Sequence, residues 1–368
     1  MTSQLDKIAE LKTSYPDNLA IQCFDAGYYD SLDESLKKRL LACIRSGIEN
    51  PSSEMGCYAC QVDDYDTLRP FFAKVISQHH GITPHSRHIS DWSIPSRENS
   101  TDEQSLDVNK FGQGPLSLRI RVGRNFSDLP LTSAMTRADR IALEERMVRA
   151  FESLQSNSDF NGSYVSLTPD HLNQLGDKEY QELIDEHVIF KAMDQDPYLT
   201  SAGIAADWPY GRGCFFTDDR SFIVWVGEED HLRIMCMKTG TKLKEVLDQL
   251  SSLVNLIEIA ADGSFAYSDD YGAITTCPTN LGTGMRASVN LKLPNLTKDG
   301  RIDRAKCVAK PLGLAIRGLG GEHTPVGDDG TVDVSPSARL CITEGEIVRR
   351  LYEGIGALLA ADRDAART

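Results

Sequence analysis

The sequence predicts an α+β protein, with a helical N-terminal segment followed by a longer mixed segment, on three observations. Residues 1 to about 90 carry apolar side chains at helical spacing, interrupted by polar punctuation. Residues 91–116 lose that spacing and are dominated by Ser, Asn, Asp, Glu, Gln and Gly, as a linker would be. From Leu116 onward, period-two runs alternate with amphipathic helical patterns. The expected division is therefore a helical domain at 1–90, a linker at 91–116 and a mixed helix-and-strand domain at 117–368. A length of 368 residues leaves room for two domains, and 40% apolar with 25% charged residues is ordinary for a globular chain.

Composition also excludes function classes. No run of 18 apolar residues occurs, so no membrane span is expected. The first residues lack a basic segment followed by an apolar one, so no secretory signal is expected and a cytoplasmic location follows. A net charge of −15 argues against a general nucleic-acid binder. Any polyanion must then be held by a local cluster of arginines. Nine scattered cysteines, an odd number, suggest reduced thiols. Cys57-Tyr58-Ala59-Cys60 has the spacing of a redox or zinc pair but lacks a second pair, so it reads as two unlinked thiols.

In chain order, Leu32, Leu36 and Leu40 share one helical face, and Leu68, Phe72 and Ile76 share another. His79, His80, His85 and His88 follow and read as solvated surface histidines. Leu116–Arg124 alternates: Leu118, Ile120 and Val122 on one strand face, Arg119 and Arg121 on the other, where two guanidinium forks suit an anion. Leu143, Met147, Phe151 and Leu154 mark an amphipathic helix. Thr168-Pro169 reads as the start of a helix running towards His187. Ser221–Val226 and Leu232–Met237 read as a hairpin whose tip, Gly227-Glu228-Glu229-Asp230-His231, carries three carboxylates, with Arg233 just after it. Leu243, Val246, Leu247, Leu250 and Leu253 make a further helix.

Thr276 to Arg286 combines a thiol, a proline, a glycine turn (Gly282, Gly284) and an arginine. The run after it alternates as a strand to Pro294, so a dinucleotide-binding turn, which needs a following helix, is rejected. Ile316–Thr324 is glycine-rich and reads as a mobile lid bearing Arg317 and Glu322. Thr343-Glu344-Gly345-Glu346 reads as a capping box opening a helix with Ile347, Leu351, Ile355 and Leu359 towards the core.

Arg119, Arg121, Arg233, Arg286 and Arg317 together suit a triphosphate, because each can bind phosphate oxygens bidentately. No Walker-type glycine loop or protein-kinase catalytic set is present. Glu229, Glu322 and Cys277 suit a planar cation such as a guanidinium.

The ordered set Ser117–Arg121, Trp208–Gly213, Val224–Arg233, Cys277–Arg286 and Arg317–Thr324 resembles the phosphagen (ATP:guanido) kinases, and within them the arginine kinases. The resemblance covers about Leu40 to the C-terminal helix. It implies a small all-helical N-terminal domain and a larger C-terminal domain with an antiparallel β-sheet flanked by helices. It implies that Ser117, Arg119, Arg121, His187, Arg233, Arg286 and Arg317 bind ATP, with Mg²⁺ carried by the nucleotide and no metal held by the protein alone. Glu229 and Glu322 would hold the guanidinium, with Cys277 beside it as a thiolate. Ser53, Glu54, Met55, Gly56 and Tyr58 would read the far end of the substrate. The partners implied are ATP or ADP and a small guanidino compound, with no nucleic acid and no membrane, in a monomer or homodimer. Taurocyamine or another guanidine, a protein arginine, and a non-catalytic nucleotide-binding role are the alternatives. The sequence departs from the family at Glu54, Leu118, Asn290, Gly320 and Pro325.

Overall fold

The computed structural model describes residues 4–83, 86–95, 106–155, 160–319 and 325–367. The N-terminal stretch is helical: α1 (Gln4–Ser14), α2 (Leu19–Cys23), α3 (Ala26–Ser31), α4 (Glu34–Glu49), α5 (Asp64–Thr67) and α6 (Arg69–His80). Then follow β1 (Leu116–Arg124), α7 (Arg137–Leu154), β2 (Gly162–Ser166), α8 (Asp177–Asp185) and α9 (Pro197–Ala202). Next come β3 (Gly213–Thr217), β4 (Phe222–Val226), β5 (Leu232–Gly240), α10 (Leu243–Ala260), β6 (Tyr267–Ser268) and β7 (Gly272–Ala273). The chain closes with β8 (Met285–Lys292), α11 (Asp303–Ala309), β9 (Leu314–Arg317), β10 (Thr331–Pro336) and α12 (Glu344–Ala365). Eight strands form an antiparallel sheet in the order β2-β3-β4-β5-β1-β8-β10-β9, flanked by helices; β6 and β7 form a separate ribbon. The α+β class read from the sequence is the class observed.

Residues gather into two compact units that each combine distant stretches of chain. One holds Met1–His88, Gly123–Arg233 and Leu256–Gly284; the other holds Ile89–Val122, Ile234–Asn255 and Met285–Thr368.

In the first unit, several helix starts are capped by side chains. Asn18, Asp25 and Asp33 accept N–H groups at the starts of α2, α3 and α4, and Thr136 and Asp139 close a reciprocal capping box on α7. The apolar stripes face inward as their spacing requires: Leu68, Phe72 and Ile76 are buried, as are Leu143, Met147, Phe151 and Leu154. Phe151 stacks on Phe215 of β3, 4.7 Å between centroids and 14° between planes.

Three expectations fail here. Leu32 lies in extended backbone after α3, so it shares no helix with Leu36 and Leu40 of α4. Thr168 does not start a helix. Its hydroxyl donates to the buried Glu144 carboxylate (2.5 Å) and accepts from the Gly211 N–H (2.8 Å), and the helix begins only at Asp177. A side chain committed to a distant partner cannot cap its own chain. His88 is not a surface histidine: it is buried beside Gly272, and burial pulls its pKa down to about 4. His85 lies outside the described residues.

In the second unit, β1 alternates as read: Leu118, Ile120 and Val122 are buried, while Arg119 and Arg121 are partly exposed on the opposite face. β8 pairs with β1 and β10, and β10 pairs with β9. The inward face of these strands meets α12, whose Ile347, Leu351, Ile355 and Leu359 are buried. The α12 cap is one-sided: Thr343 accepts the Glu346 N–H, but the Glu346 side chain pairs with Arg350 instead of turning back. The stretch read as linker is packed from Leu106 on. Leu106 and Val108 are buried, the Val108 N–H reaches Thr241 O (2.9 Å), and the Phe111 ring lies 4.8 Å from Tyr352.

Candidate active site

The first unit carries the acidic side chains. Gly227, at φ +73°, turns β4 into β5, and its N–H closes the hairpin on His231 O at 2.9 Å. That turn presents Glu228, Glu229 and Asp230 in succession. The Glu229 carbonyl accepts the Thr132 hydroxyl, and its carboxylate accepts from Asn280 Nδ2 at 3.4 Å. Asp230 points inward: Oδ1 accepts from Asn125 Nδ2 and from the Thr276 N–H, both at 2.7 Å. Asn125 also accepts the His231 N–H (2.8 Å). The His231 ring is neutral, since Nδ1 accepts the Phe126 N–H (3.0 Å) and Nε2 lies 2.8 Å from Pro130 O, as a donor. Burial holds its pKa near 4, in keeping with that state. These bonds tie the hairpin tip to Thr276, the residue before Cys277.

Cys277 is buried, with its sulfur 3.1 Å from Thr279 Oγ1 and its carbonyl accepting the Thr275 hydroxyl at 2.8 Å. Tyr65, fully buried, donates to Thr275 O at 2.7 Å and so fixes the same segment. Burial, then the charges of Glu228 and Asp230, push Glu229 up to about 7; Arg233 and a hydrogen bond from the Cys277 thiol pull the other way. Burial, with the Glu229 charge second, pushes the Cys277 thiol far above its ordinary range. Burial and the neighbouring carboxyl thus oppose ionisation of this sulfur in the absence of a cation. Chemically this is a carboxyl poised to exchange a proton near neutral pH, beside a sulfur, in a setting that an incoming cation would stabilise.

Two further groups of the first unit bear on this site. Arg233 pairs with Glu228 at 2.8 Å, with its guanidinium 4.8 Å from the Trp225 ring centre. Tyr58 is held up by burial and then by Cys277 and Glu229, so it shares their electrostatic surroundings.

The loop around Tyr58 is pinned by its backbone. Leu19 and Ala20 donate to Glu54 O (2.9 Å) and Met55 O (3.1 Å), Gly47 N–H donates to Gly56 O (2.7 Å), and Ser53 Oγ accepts the Gly56 N–H (3.0 Å). The Glu54 side chain is exposed. His187 is exposed, in a left-handed conformation (φ +60°) just after α8.

The second unit carries the arginines, and strand register places four of them on one face. Arg121 lies opposite Arg286, and Arg119 opposite Ser288. Asp333 lies opposite Asn290 on one side and Arg317 on the other. Directly paired residues point the same way and alternate along each strand, so Ser117, Arg119, Arg121, Arg286 and Arg317 share a face. Arg286 is ion-paired to Asp333, and Arg119 contacts the Met235 sulfur at 3.2 Å. Glu322 and the rest of the lid segment 320–324 lie outside the described residues.

Sequence reasoning named Asp230 only as one of the tip carboxylates and missed Asn125, Thr132, Tyr65 and Asp333; together these position the acid, the thiol segment and Arg286. Asp333 had a signal, because Thr331-Val332-Asp333-Val334 alternates as a strand. The others had none, since their partners lie far along the chain.

Known proteins share this arrangement of chain. The description "ATP:guanido phosphotransferase, N-terminal domain" matches residues 19–77, and "ATP:guanido phosphotransferase, C-terminal catalytic domain" matches residues 142–365. An arginine kinase of Limulus polyphemus is 34% identical over 363 residues, covering 99% of this chain and 96% of its own. One of Artemia franciscana is 35% identical over 337 residues, covering 91% and 89%. Among solved structures, the duplicated taurocyamine kinase of Schistosoma mansoni with bound transition-state-analogue components aligns with a TM-score of 0.82 at 29% identity. That alignment covers 99% of this chain, which spans 49% of the duplicated protein. A lombricine kinase aligns with a TM-score of 0.76 at 26% identity over 92% of each chain. The fold, the ordered motifs and a likeness running nearly the whole length agree: the chain belongs to the ATP:guanido phosphotransferase family, the phosphagen kinases.

Proposed function

We propose that this phosphagen kinase transfers the γ-phosphoryl group of ATP reversibly to a guanidino nitrogen of L-arginine. The observation that carries the reading is the tie between the hairpin tip bearing Glu229 and the segment bearing Cys277, made through Asn280 and Asp230, which sets a half-buried carboxyl and a buried sulfur in one environment. Identity of 34–35% to arginine kinases over nine-tenths or more of the chain supports arginine among guanidines.

Glu229 would accept the guanidinium N–H, orient the attacking nitrogen and take up its proton. An adjacent guanidinium would draw both Glu229 and Cys277 towards their charged forms, and Glu322 would complete the clamp. Ser117, Arg119, Arg121, His187, Arg233, Arg286 and Arg317 would bind the nucleotide, the arginines compensating charge on the moving phosphoryl group. Mg²⁺ enters with ATP as part of that substrate. Transfer is direct and in line, so catalysis comes from alignment, on the order of 7–11 kcal/mol, and from charge compensation. Ser53, Glu54, Met55, Gly56 and Tyr58 would read the α-amino-acid end. Glu54 is exposed, so its carboxylate need not oppose that of arginine. The chain is expected to work in the cytoplasm as a monomer or homodimer, with 1–90 as helical domain, 91–116 as connection and 117–368 as catalytic domain. Among the described residues no helix is long and apolar enough to cross a membrane.

The test is ADP formation from Mg-ATP with arginine, taurocyamine, lombricine, creatine and casein run in parallel. Arginine should give the highest kcat/KM. A higher value for taurocyamine or lombricine would move the assignment to that guanidine. Phosphorylation of casein with no turnover of free arginine would make it a protein-arginine kinase. Nucleotide binding without turnover of any of them would leave a non-catalytic relative.

A further inference from the structure

Beneath the loop that carries Ser53–Tyr58, two sulfurs and a carboxylate meet. Cys43 Sγ, Cys60 Sγ and an oxygen of Asp64 all lie within 4.8 Å of one another, and all three residues are buried. Backbone bonds hold them there. Tyr58 N–H donates to Cys43 O (2.9 Å) and Leu131 N–H to Cys60 O (3.0 Å). Asp64 Oδ2 accepts the N–H groups of Cys60 (2.5 Å) and Gln61 (2.7 Å) and the Cys43 thiol (3.5 Å), while Oδ1 is ion-paired to Arg39. A carboxylate so engaged has little left to offer a metal ion. The two sulfurs do have a use for each other. The sequence motif pairs Cys60 with Cys57, but Cys57 turns away and contacts the Met55 sulfur at 3.7 Å.

We propose that Cys43 and Cys60 form a redox pair that closes to a disulfide under hydrogen peroxide, with Cys60 as the attacking sulfur. Cys60 is the less deeply buried of the two, 7% exposed against 1% for Cys43, and the neighbouring Cys43 sulfur lowers its thiol against the opposing effects of burial and Asp64, whereas burial pushes Cys43 up. The Cys60 thiolate attacks one peroxide oxygen. The O–O bond breaks, hydroxide leaves and is protonated to water, and Cys60 becomes a sulfenic acid. Cys43 then loses its proton and attacks the Cys60 sulfur. The S–O bond breaks, and the departing hydroxide takes up that proton as a second water. Two thiols and one peroxide thus give one disulfide and two waters. The new bond would cross-link α4 to the end of the loop bearing Ser53–Tyr58.

The experiment treats the native protein with peroxide, blocks remaining thiols with N-ethylmaleimide, then digests without reduction for mass spectrometry. A peptide joining Cys43 to Cys60 is expected. It should vanish on reduction and still form in Cys57→Ser. In Cys43→Ser, Cys60 should be trapped by dimedone as the sulfenic acid. A Cys57–Cys60 link overturns the pairing, as does recovery of Cys43 and Cys60 both alkylated from protein whose Cys277 has been oxidised. A second readout rests on the proposed substrate role of Ser53–Tyr58: the linked protein should show a several-fold change in KM for arginine, reversed by reductant, with KM for ATP unmoved. A link without that change overturns the substrate role of the loop and leaves the redox pair standing.

Discussion

Replacing Glu229 with Gln should make the enzyme slower and more stable at once. The carboxyl is raised from the ordinary 4.5 to about 7, chiefly by burial and by Glu228 and Asp230. A carboxyl raised on folding favours the neutral folded form. Its contribution to stability is complete below the unfolded value of 4.5 and is lost as pH rises through about 7. At 1.36 kcal/mol per unit the ceiling is about 3 kcal/mol, and solvent access at the hairpin tip brings the expected gain of the Gln variant at pH 8 to about 1–2 kcal/mol. Near pH 4.5 the two proteins should differ little. Turnover moves the other way. Loss of a positioned proton acceptor costs roughly 10²–10⁴-fold. Wild-type kcat/KM for the guanidine should rise with pH through about 7, and the variant should lack that limb. Denaturant unfolding at pH 5 and pH 8, with initial rates over the same range, reads both effects. An unchanged rate, or a variant less stable than wild type at pH 8, would refute the assignment of Glu229 as a base whose surroundings disfavour its charge.

Other substitutions separate the remaining roles. Arg286→Ala should raise KM for ATP and lower kcat together, by about 10²-fold in kcat/KM, because it removes a charge-compensating donor and strands Asp333; steady-state kinetics with ATP varied checks this. Gly56→Ala forces a side chain onto φ +69°, with its Cβ 2.5 Å from Asn18 Oδ1 and 2.9 Å from Gly47 Cα. It should cost more than about 1 kcal/mol in urea unfolding and raise KM for the guanidine more than for ATP. Leu351→Ala, in the buried face of α12, should cost about 2–5 kcal/mol of stability, and its cavity lies under the arginine strands rather than at Glu229. Thermal melts and the Glu229 pH limb would show the first effect without the second.

Much of the fold was legible because repeating patterns report faces. The Leu118, Ile120, Val122 alternation and the Ile347, Leu351, Ile355, Leu359 stripe each specify one buried side, and burial follows in both. The hairpin tip was legible too, because Gly227 and a run of carboxylates mark a turn whatever packs around it. Partner choice was not legible. Asn125 reaches Asp230 across 105 positions and Asp230 reaches Thr276 across 46, and no local pattern encodes such bonds. The same reason defeats the helix start at Thr168, whose hydroxyl belongs to Glu144, and the surface reading of His88. It also hides the Cys43 partner of Cys60 behind a nearer cysteine.

Direct in-line transfer, without a covalent enzyme intermediate, is the step on which the proposed chemistry stands. Turnover of ATP made chiral with oxygen isotopes at the γ-phosphoryl group tests it at the reacting atom. Inversion of configuration in the phosphorylated guanidine is the expected result. Retention would require an even number of displacements and would contradict it.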